Sequence, residues 1–254
     1  MIFRNIKSLF NFAFKARNGF LVILDYIGLL KIKRPYCLKL RNGLKFFVNS
    51  WESAGPINSI IFFKEYGSLK KSKAKEVYID VGAHIGAFSV YSASLNKGRK
   101  VYAFEPESNN YKMLKKNISI NSLHNIQPYN IAVAGKTGKG FLALGRAGTQ
   151  SHSLFRKSKK TKEVKTISLN DIFRVNKINE CDFLKMDCEG AEYDIFFNTN
   201  HNVLRRINKM FIECHDTEDN KCNDLLVFLK KSGIFNARKI EIAGYEHIAA
   251  EKKK

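Results

Sequence analysis

Three stretches of this 254-residue chain carry side chains whose types and spacing could do chemistry. The first ends an apolar run: in Val77–Gly86, residues Asp80, Gly82 and Gly86 form D-x-G-x-x-x-G just before a helical pattern. Glycines there let the backbone turn sharply and approach a ligand with no Cβ in the way. The second is Phe104-Glu105-Pro106, with Glu105 lying 23 residues beyond Gly82. A doubly wound fold places an acid at about that distance to bind ribose hydroxyls, since two carboxylate oxygens can take two adjacent donors. The third is the run from Lys185 to Glu192, with Glu213 and His215 further on. The G-x-G-x-x-G spacing of dinucleotide sites is absent, position 83 being Ala and 81 Val, and so is the Walker A pattern. An adenosine-type ligand without a 2′-phosphate fits; NAD and FAD do not.

The elements that must position these residues alternate regularly. Strands are predicted at Val77–Val81, Val101–Phe104, Ile126–Val133, Phe183–Met186, Lys209–Cys214 and near Lys239–Ile242. Helices are predicted at Ala87–Leu95, Glu107–Asn117, Leu169–Phe173, Ala191–Phe197 and Asn220–Lys231. Such alternation implies crossover connections, and so a doubly wound α/β domain with a mostly parallel sheet and helices on both faces. Ligands bind such sheets at the C-terminal strand ends. Upstream, Leu38–Leu40 and Leu44–Val48 flank Asn42-Gly43 and read as a hairpin with a type I′ turn, followed by a helix over Ile57–Tyr66. Residues 135–165 interrupt the rhythm as a basic insertion with one strand-like run, Gly140–Leu144.

With these residues in view, the chain resembles the FkbM-type, class I S-adenosylmethionine-dependent methyltransferases. The likeness lies in IDVGAHIGAFS (79–89), FEPESNNYKMLKKNISIN (104–121), Asn130-Ile-Ala132 and FLKMDCEGAEYDIF (183–196), and it spans roughly residues 36–250. It implies a Rossmann-like class I methyltransferase fold over 77–250; the residue patterns add a hairpin and helix at 36–76 leading into it and a basic amphipathic extension at 1–35, outside the likeness. It implies S-adenosylmethionine as cofactor, held by Asp80, Gly82, Ala83, His84, Gly86, Glu105, Asn130 and Ala132. Position 84 is often Asn in this family and is His here. Acceptors implied are hydroxyl groups on sugars, lipid-linked molecules or other small molecules, and Ser153 falls where the family often has serines facing the acceptor.

Methyl transfer to oxygen needs alignment and removal of a hydroxyl proton, and a positioned base contributes about 10²–10⁴-fold. Asp187 is the first candidate for that base, with Glu189 and His215 after it. Asp187 could instead orient the cofactor or cap a helix, and Glu189 and Glu192 suit a helix N-terminus through its dipole. Lys185, alternating with apolar neighbours on a buried strand, needs a partner such as Glu213 or Asp187. Asp187, Glu189, Glu213 and His215 could also gather around a divalent ion, although the reaction does not require one.

The formal charge of +21 is uneven. Residues 1–76 carry a net +11 and residues 135–165 a net +8, while 77–134 and 166–250 together are neutral. Nucleic acid, an anionic membrane or an acidic substrate would each suit that excess. An RNA-directed methyltransferase is the first rival, but enzymes acting on base amino groups usually carry an Asp/Asn-Pro-Pro-aromatic loop, and the four prolines here are never adjacent. A non-catalytic adaptor on a membrane surface is the second. Phe3, Ile6, Phe10 and Phe14 fall near helical spacing between basic residues, which suits either an interfacial helix or packing against the main domain or a second copy. Five cysteines with no CxxC pair fit a reducing compartment, and the chain is expected to be cytoplasmic, with peripheral membrane contact as an option.

Overall fold

The computed structural model describes residues 10–30, 33–49, 51–62, 69, 74–143, 161–242 and 244–253. Phe3, Ile6 and Ser153 lie outside them.

Residues 10–15 are helical, and α1 (Gly19–Tyr26) follows after a turn. The hairpin pairs β1 (Tyr36–Lys39) with β2 (Lys45–Val48), Tyr36 facing Val48 and Lys39 facing Lys45. Its turn is not the expected type I′. Only Gly43 has a positive φ, of 94°, and the Gly43 N–H donates to the Leu40 carbonyl, so the five-residue link 40–44 carries a left-handed glycine at its fourth position. Asn42 keeps an ordinary φ because its Oδ1 accepts the Leu44 N–H at 3.2 Å. The next helix, α2 (Trp51–Ile57), starts earlier than the apolar pattern indicates and continues as a wider π-type turn over Asn58–Phe62.

The core domain then runs β3 (Glu76–Val81), α3 (Ala87–Leu95), β4 (Arg99–Phe104), α4 (Ser108–Ile120) and β5 (Ile126–Tyr129). A small sheet intervenes, formed by β6 (Ala132–Val133), β7 (Gly138–Ala143) and β8 (Thr161–Ile167) in the order β6-β8-β7. The chain returns through α5 (Leu169–Val175), β9 (Phe183–Met186), α6 (Glu192–Phe197), α7 (His201–Leu204), β10 (Lys209–Glu213) and α8 (Cys222–Lys231), and ends in β11 (Phe235–Ile242) and β12 (Tyr245–Lys252). The large sheet has the order β11-β12-β10-β9-β3-β4-β5, and β12 alone runs against its neighbours. This is the doubly wound Rossmann-like sheet the alternation predicts. Strand order reverses between β3 and β9, so the crevice at their C-terminal ends is the topological switch point where ligands bind.

Two departures matter for the site. The run 126–133 is not one strand: Asn130 breaks it, β5 joining the large sheet and β6 the small one. The last strand, β12, has no counterpart in the predicted pattern, and it brings the buried His247 opposite Glu213.

Each face of the sheet buries its own core. One holds Ile79, Val81, Leu184, Met186, Ile212 and Phe196; the other joins Val101, Ala103, Phe88 and Leu114 to Phe12, Ala16, Val22, Leu38 and Phe46 of the N-terminal elements. The N-terminal helices therefore share a core with the sheet. Among the described residues, no helix is long and apolar enough to cross a membrane.

Candidate functional site

The loop after β3 is spliced to the end of β4. The N–H groups of Gly82 and Ala83 both donate to the Phe104 carbonyl, at 3.0 and 2.9 Å. Gly82 has a φ of 75°, and a Cβ there would stand 1.7 Å from the Asp187 carbonyl oxygen. No other residue fits between the two strand ends. Gly86 has a φ of 91° and begins α3, where a Cβ would meet the Leu114 side chain at 2.5 Å. His84, with a φ of 49°, occupies a left-handed position that Asn also tolerates well.

That left-handed turn aims the His84 N–H at Glu105, whose Oε2 accepts it at 2.8 Å while Oε1 accepts the Glu107 N–H at 2.9 Å. Glu105 is buried, and burial pushes its carboxyl pKa up to about 7 against the pull of those two N–H groups. Asn110 Nδ2 donates to Oε1 as well, at 3.5 Å, and Oε2 keeps a second accepting direction, which suits a ribose hydroxyl. Asn130 holds the same strand end, its Nδ2 donating to the Glu105 and Pro106 carbonyls at 2.9 Å each. Ala132 is buried at the start of β6 and presents only backbone.

Asp80 requires correction as a ligand-facing residue. Its carboxylate has no exposed surface, accepts the Ser89 hydroxyl at 2.6 Å and pairs with Lys185 Nζ at 3.3 Å. It supports the loop from beneath. Lys185, also buried, donates to the Gly82 carbonyl at 2.7 Å and lies 3.7 Å from Asp187. Burial pulls its pKa down, but Asp80, Asp187 and Glu213 outweigh that and push it up to about 12. The strand-borne ammonium therefore remains charged and ties the glycine loop to β9.

Beside this loop four carboxylates surround one imidazole. His215 Nδ1 lies 2.9 Å from Glu192 Oε1, and Nε2 lies 3.7 Å from Glu213 and 3.9 Å from both Asp187 and Glu189. Burial disfavours the imidazolium, but the hydrogen bond and charge of Glu192, then Asp187 and Glu189, push the pKa up to about 10. His215 thus holds its proton at neutral pH, which makes it a poorer proton acceptor there than the carboxylates around it. Asp187 is the most exposed of the four acids, at 32% of its side chain against 18%, 15% and none for Glu189, Glu213 and Glu192. Asp187 also follows Met186 directly, its N–H donating to the Val81 carbonyl.

Ligand atoms of Asp187, Glu213 and His215 lie within 4.8 Å of one another and could share a divalent ion. Such an ion would have to displace the His215 proton, which the same acids hold tightly. Sequence reasoning overlooked Glu192 as the histidine's partner. It reads there as a helix-start acid, and it does lie at the first position of α6; linear order hides that its Oε1 meets His215 Nδ1 while also accepting the Cys188 N–H at 3.1 Å.

A parallel sheet with its reversal beside a glycine turn, and a ribose-type acid at the next strand end, define a Rossmann-like domain for a nucleoside-bearing cofactor. The chain belongs to the family of the methyltransferase FkbM domain, whose model matches residues 80–239. No curated protein matches it. Among solved structures it is similar to an rRNA methylase from Streptococcus thermophilus, at 12% identity and a TM-score of 0.46, covering 89% of this chain and 100% of that one. It is similar also to M. jannaschii TYW2 in complex with AdoMet, at 18% identity and a TM-score of 0.43 over 88% and 90% of the two chains. A precorrin-6y C5,15-methyltransferase from Geobacter metallireducens GS-15 gives 12% identity and a TM-score of 0.43 over 91% and 96%.

S-adenosylmethionine is the cofactor of this methyltransferase. The residues present fit it. Glu105 suits the ribose, Gly82 and Gly86 let the turn pack closely against Asp187 and Leu114 beside it, and the acid cluster suits a positively charged sulfonium.

Proposed function

We propose that the chain methylates a hydroxyl oxygen on a sugar, a lipid-linked molecule or another small acceptor, with Asp187 as the general base. S-adenosylmethionine supplies an activated methyl group, so the protein's own work is to align the acceptor and take its proton. The observation that carries this reading is the division of labour around His215. Glu192 is fully buried and committed to the imidazole, whereas Asp187 is about one-third exposed at the strand end beside the glycine loop. An exposed carboxylate next to a buried, protonated histidine can accept a proton while the cation stabilises the charge on the incoming oxygen. Glu189, with a φ of 58° in the same tight turn, lines the cluster and stands second as a base.

The test is a transfer screen with labelled S-adenosylmethionine over glycans, lipid-linked sugars and small hydroxylated metabolites, followed by the Asp187→Ala variant on whichever acceptor is labelled. Base-stable label on an oxygen, lost about 10²-fold or more in the variant with cofactor affinity retained, is the expected result. Label recovered on nitrogen or carbon, or in RNA alone, overturns the assignment.

A further inference from the structure

The N-terminal helices present a surface that the reaction does not use. Phe12, Ala16 and Val22 are buried and anchor residues 10–15 and α1 to the core. Other apolar side chains of the same segment are exposed. Phe10 is 61% and Phe14 68% exposed, their rings stacked with centroids 6.0 Å apart, and Phe20, Ile27, Leu29 and Leu30 are exposed as well. Six of the eleven exposed large apolar side chains among the described residues fall in this one segment. Single exposed apolar residues are ordinary; a concentration of them marks a contact surface.

Cations flank it. The Ala16–Leu40 bridge places Lys15 and Arg17 against the hairpin, with the Arg17 N–H donating to the Lys39 carbonyl at 2.7 Å and the Arg41 N–H to the Lys15 carbonyl at 2.9 Å. Lys45 faces Lys39 across the hairpin. Lys15, Arg17, Lys39, Arg41 and Lys45 are all exposed. Asp25 is the single acid in residues 10–49, and Arg34 pairs with it at 2.7 Å.

We propose that this face docks on an anionic lipid bilayer, with Phe10, Phe14, Phe20 and Leu29 in the acyl boundary and the five cations at the headgroups. Apolar side chains beside a cationic band are the signature of an interfacial element, and no spanning helix is required. A second copy is a poorer occupant, because apposing two such faces would bring ten cations together, and the one acid of residues 10–49, Asp25, is already paired with Arg34. Nucleic acid would suit the cations and the phenylalanines but leaves Ile27, Leu29 and Leu30 without a role. The inference is independent of the acceptor's identity and of the methyl-transfer reading.

Flotation of the full chain with phosphatidylcholine vesicles and with mixed phosphatidylcholine–phosphatidylglycerol vesicles tests it. Binding is expected to the mixed vesicles and to fall with added salt. Each of Lys39→Ser and Arg41→Ser should weaken partition about fivefold, and each of Phe10→Ser and Phe14→Ser about tenfold or more. S-adenosylmethionine affinity, measured by calorimetry, should stay at the parent value in all four, which shows that they remain folded. Equal binding to both vesicle types, no binding, or variants that partition like the parent overturn the proposal. So does a dimer in sedimentation that the Phe10→Ser and Phe14→Ser substitutions dissolve, or RNA binding that vesicles do not displace.

Discussion

Glu192 Oε1 and His215 Nδ1, 2.9 Å apart, form a buried ion pair that governs the charge of the crevice. Because Glu192 lies on α6 and His215 just beyond β10, the pair also locks the start of the helix to the end of the strand. His215 has its pKa raised from 6.5 to about 10, so its stabilising contribution is fully present below about pH 6.5 and is lost as pH rises through about 10. Glu192→Gln should bring that loss to lower pH. Thermal melting of the parent and the variant across the alkaline range checks it; superimposable pH profiles would remove the pair from the argument.

Glu105 behaves in the same sense over a lower pH window. Its carboxyl titrates near pH 7 instead of 4.5, so the folded chain holds the proton more tightly than the unfolded one. Stability from this group is greatest below about 4.5 and declines as pH rises to about 7, beyond which the buried charge is uncompensated. Ribose hydroxyls bound at Glu105, as proposed, would stabilise the ionised form. Affinity for S-adenosylmethionine should therefore fall about tenfold between about pH 8 and about pH 6, and Glu105→Gln should be weaker throughout and nearly flat. Calorimetric titration at each pH gives the answer.

The Asp80–Lys185 pair is structural in this arrangement, and its removal should read as instability. Asp80→Ala removes the nearest carboxylate of a buried ammonium and leaves it the more distant Asp187, at 3.7 Å; breaking such a pair costs up to about 3–5 kcal/mol, so its melting temperature should drop well below the parent's. Cofactor affinity, measured at low temperature where the chain is folded, should change less than in Glu105→Ala. The reverse ranking would return Asp80 to the ligand shell.

Gly82→Ala tests the close approach of the two strand ends. The added Cβ would overlap the Asp187 carbonyl, which is backbone and cannot rotate away. Overpacking typically costs about 1–3 kcal/mol, and the positive φ adds about 1–2 more. Loss of soluble protein, or a large fall in melting temperature, is expected. A variant as stable as the parent would mean that the strand ends are further apart in solution.

Much of this was legible from residue patterns. The helices Ala87–Leu95 and the strand Phe183–Met186 fall where periodicity places them, because each is bounded by a glycine turn or a polar break in the chain itself. The run 126–133 was not separable, since Asn130 diverts it by bonding to two carbonyls of a different strand. β12 lacks a strong apolar alternation, and its position between β10 and β11 is fixed by pairing partners distant in sequence. At the site, glycine spacing and Glu105 were readable, as they act through the local chain. Whether Asp80 faces the ligand or Lys185, and whether His215 is neutral or charged, depends on burial and on neighbours from three strands, which linear order does not display.

Asn117 is fully buried within α4, and its side chain makes three hydrogen bonds to two separate pieces of the molecule. Its Oδ1 accepts the Phe47 N–H at 2.6 Å, and its Nδ2 donates to the Phe47 carbonyl at 3.3 Å and to the Ile85 carbonyl at 2.8 Å. One amide thus fastens the hairpin to the loop that shapes the cofactor crevice. Opening of the hairpin and loosening of that loop should consequently be one cooperative event, with amide protons of Phe47 and Gly86 exchanging at a common rate. A chain cut back to the strand that opens the sheet would keep every residue at the methyl-transfer site and still lose the fixed shape of its entrance.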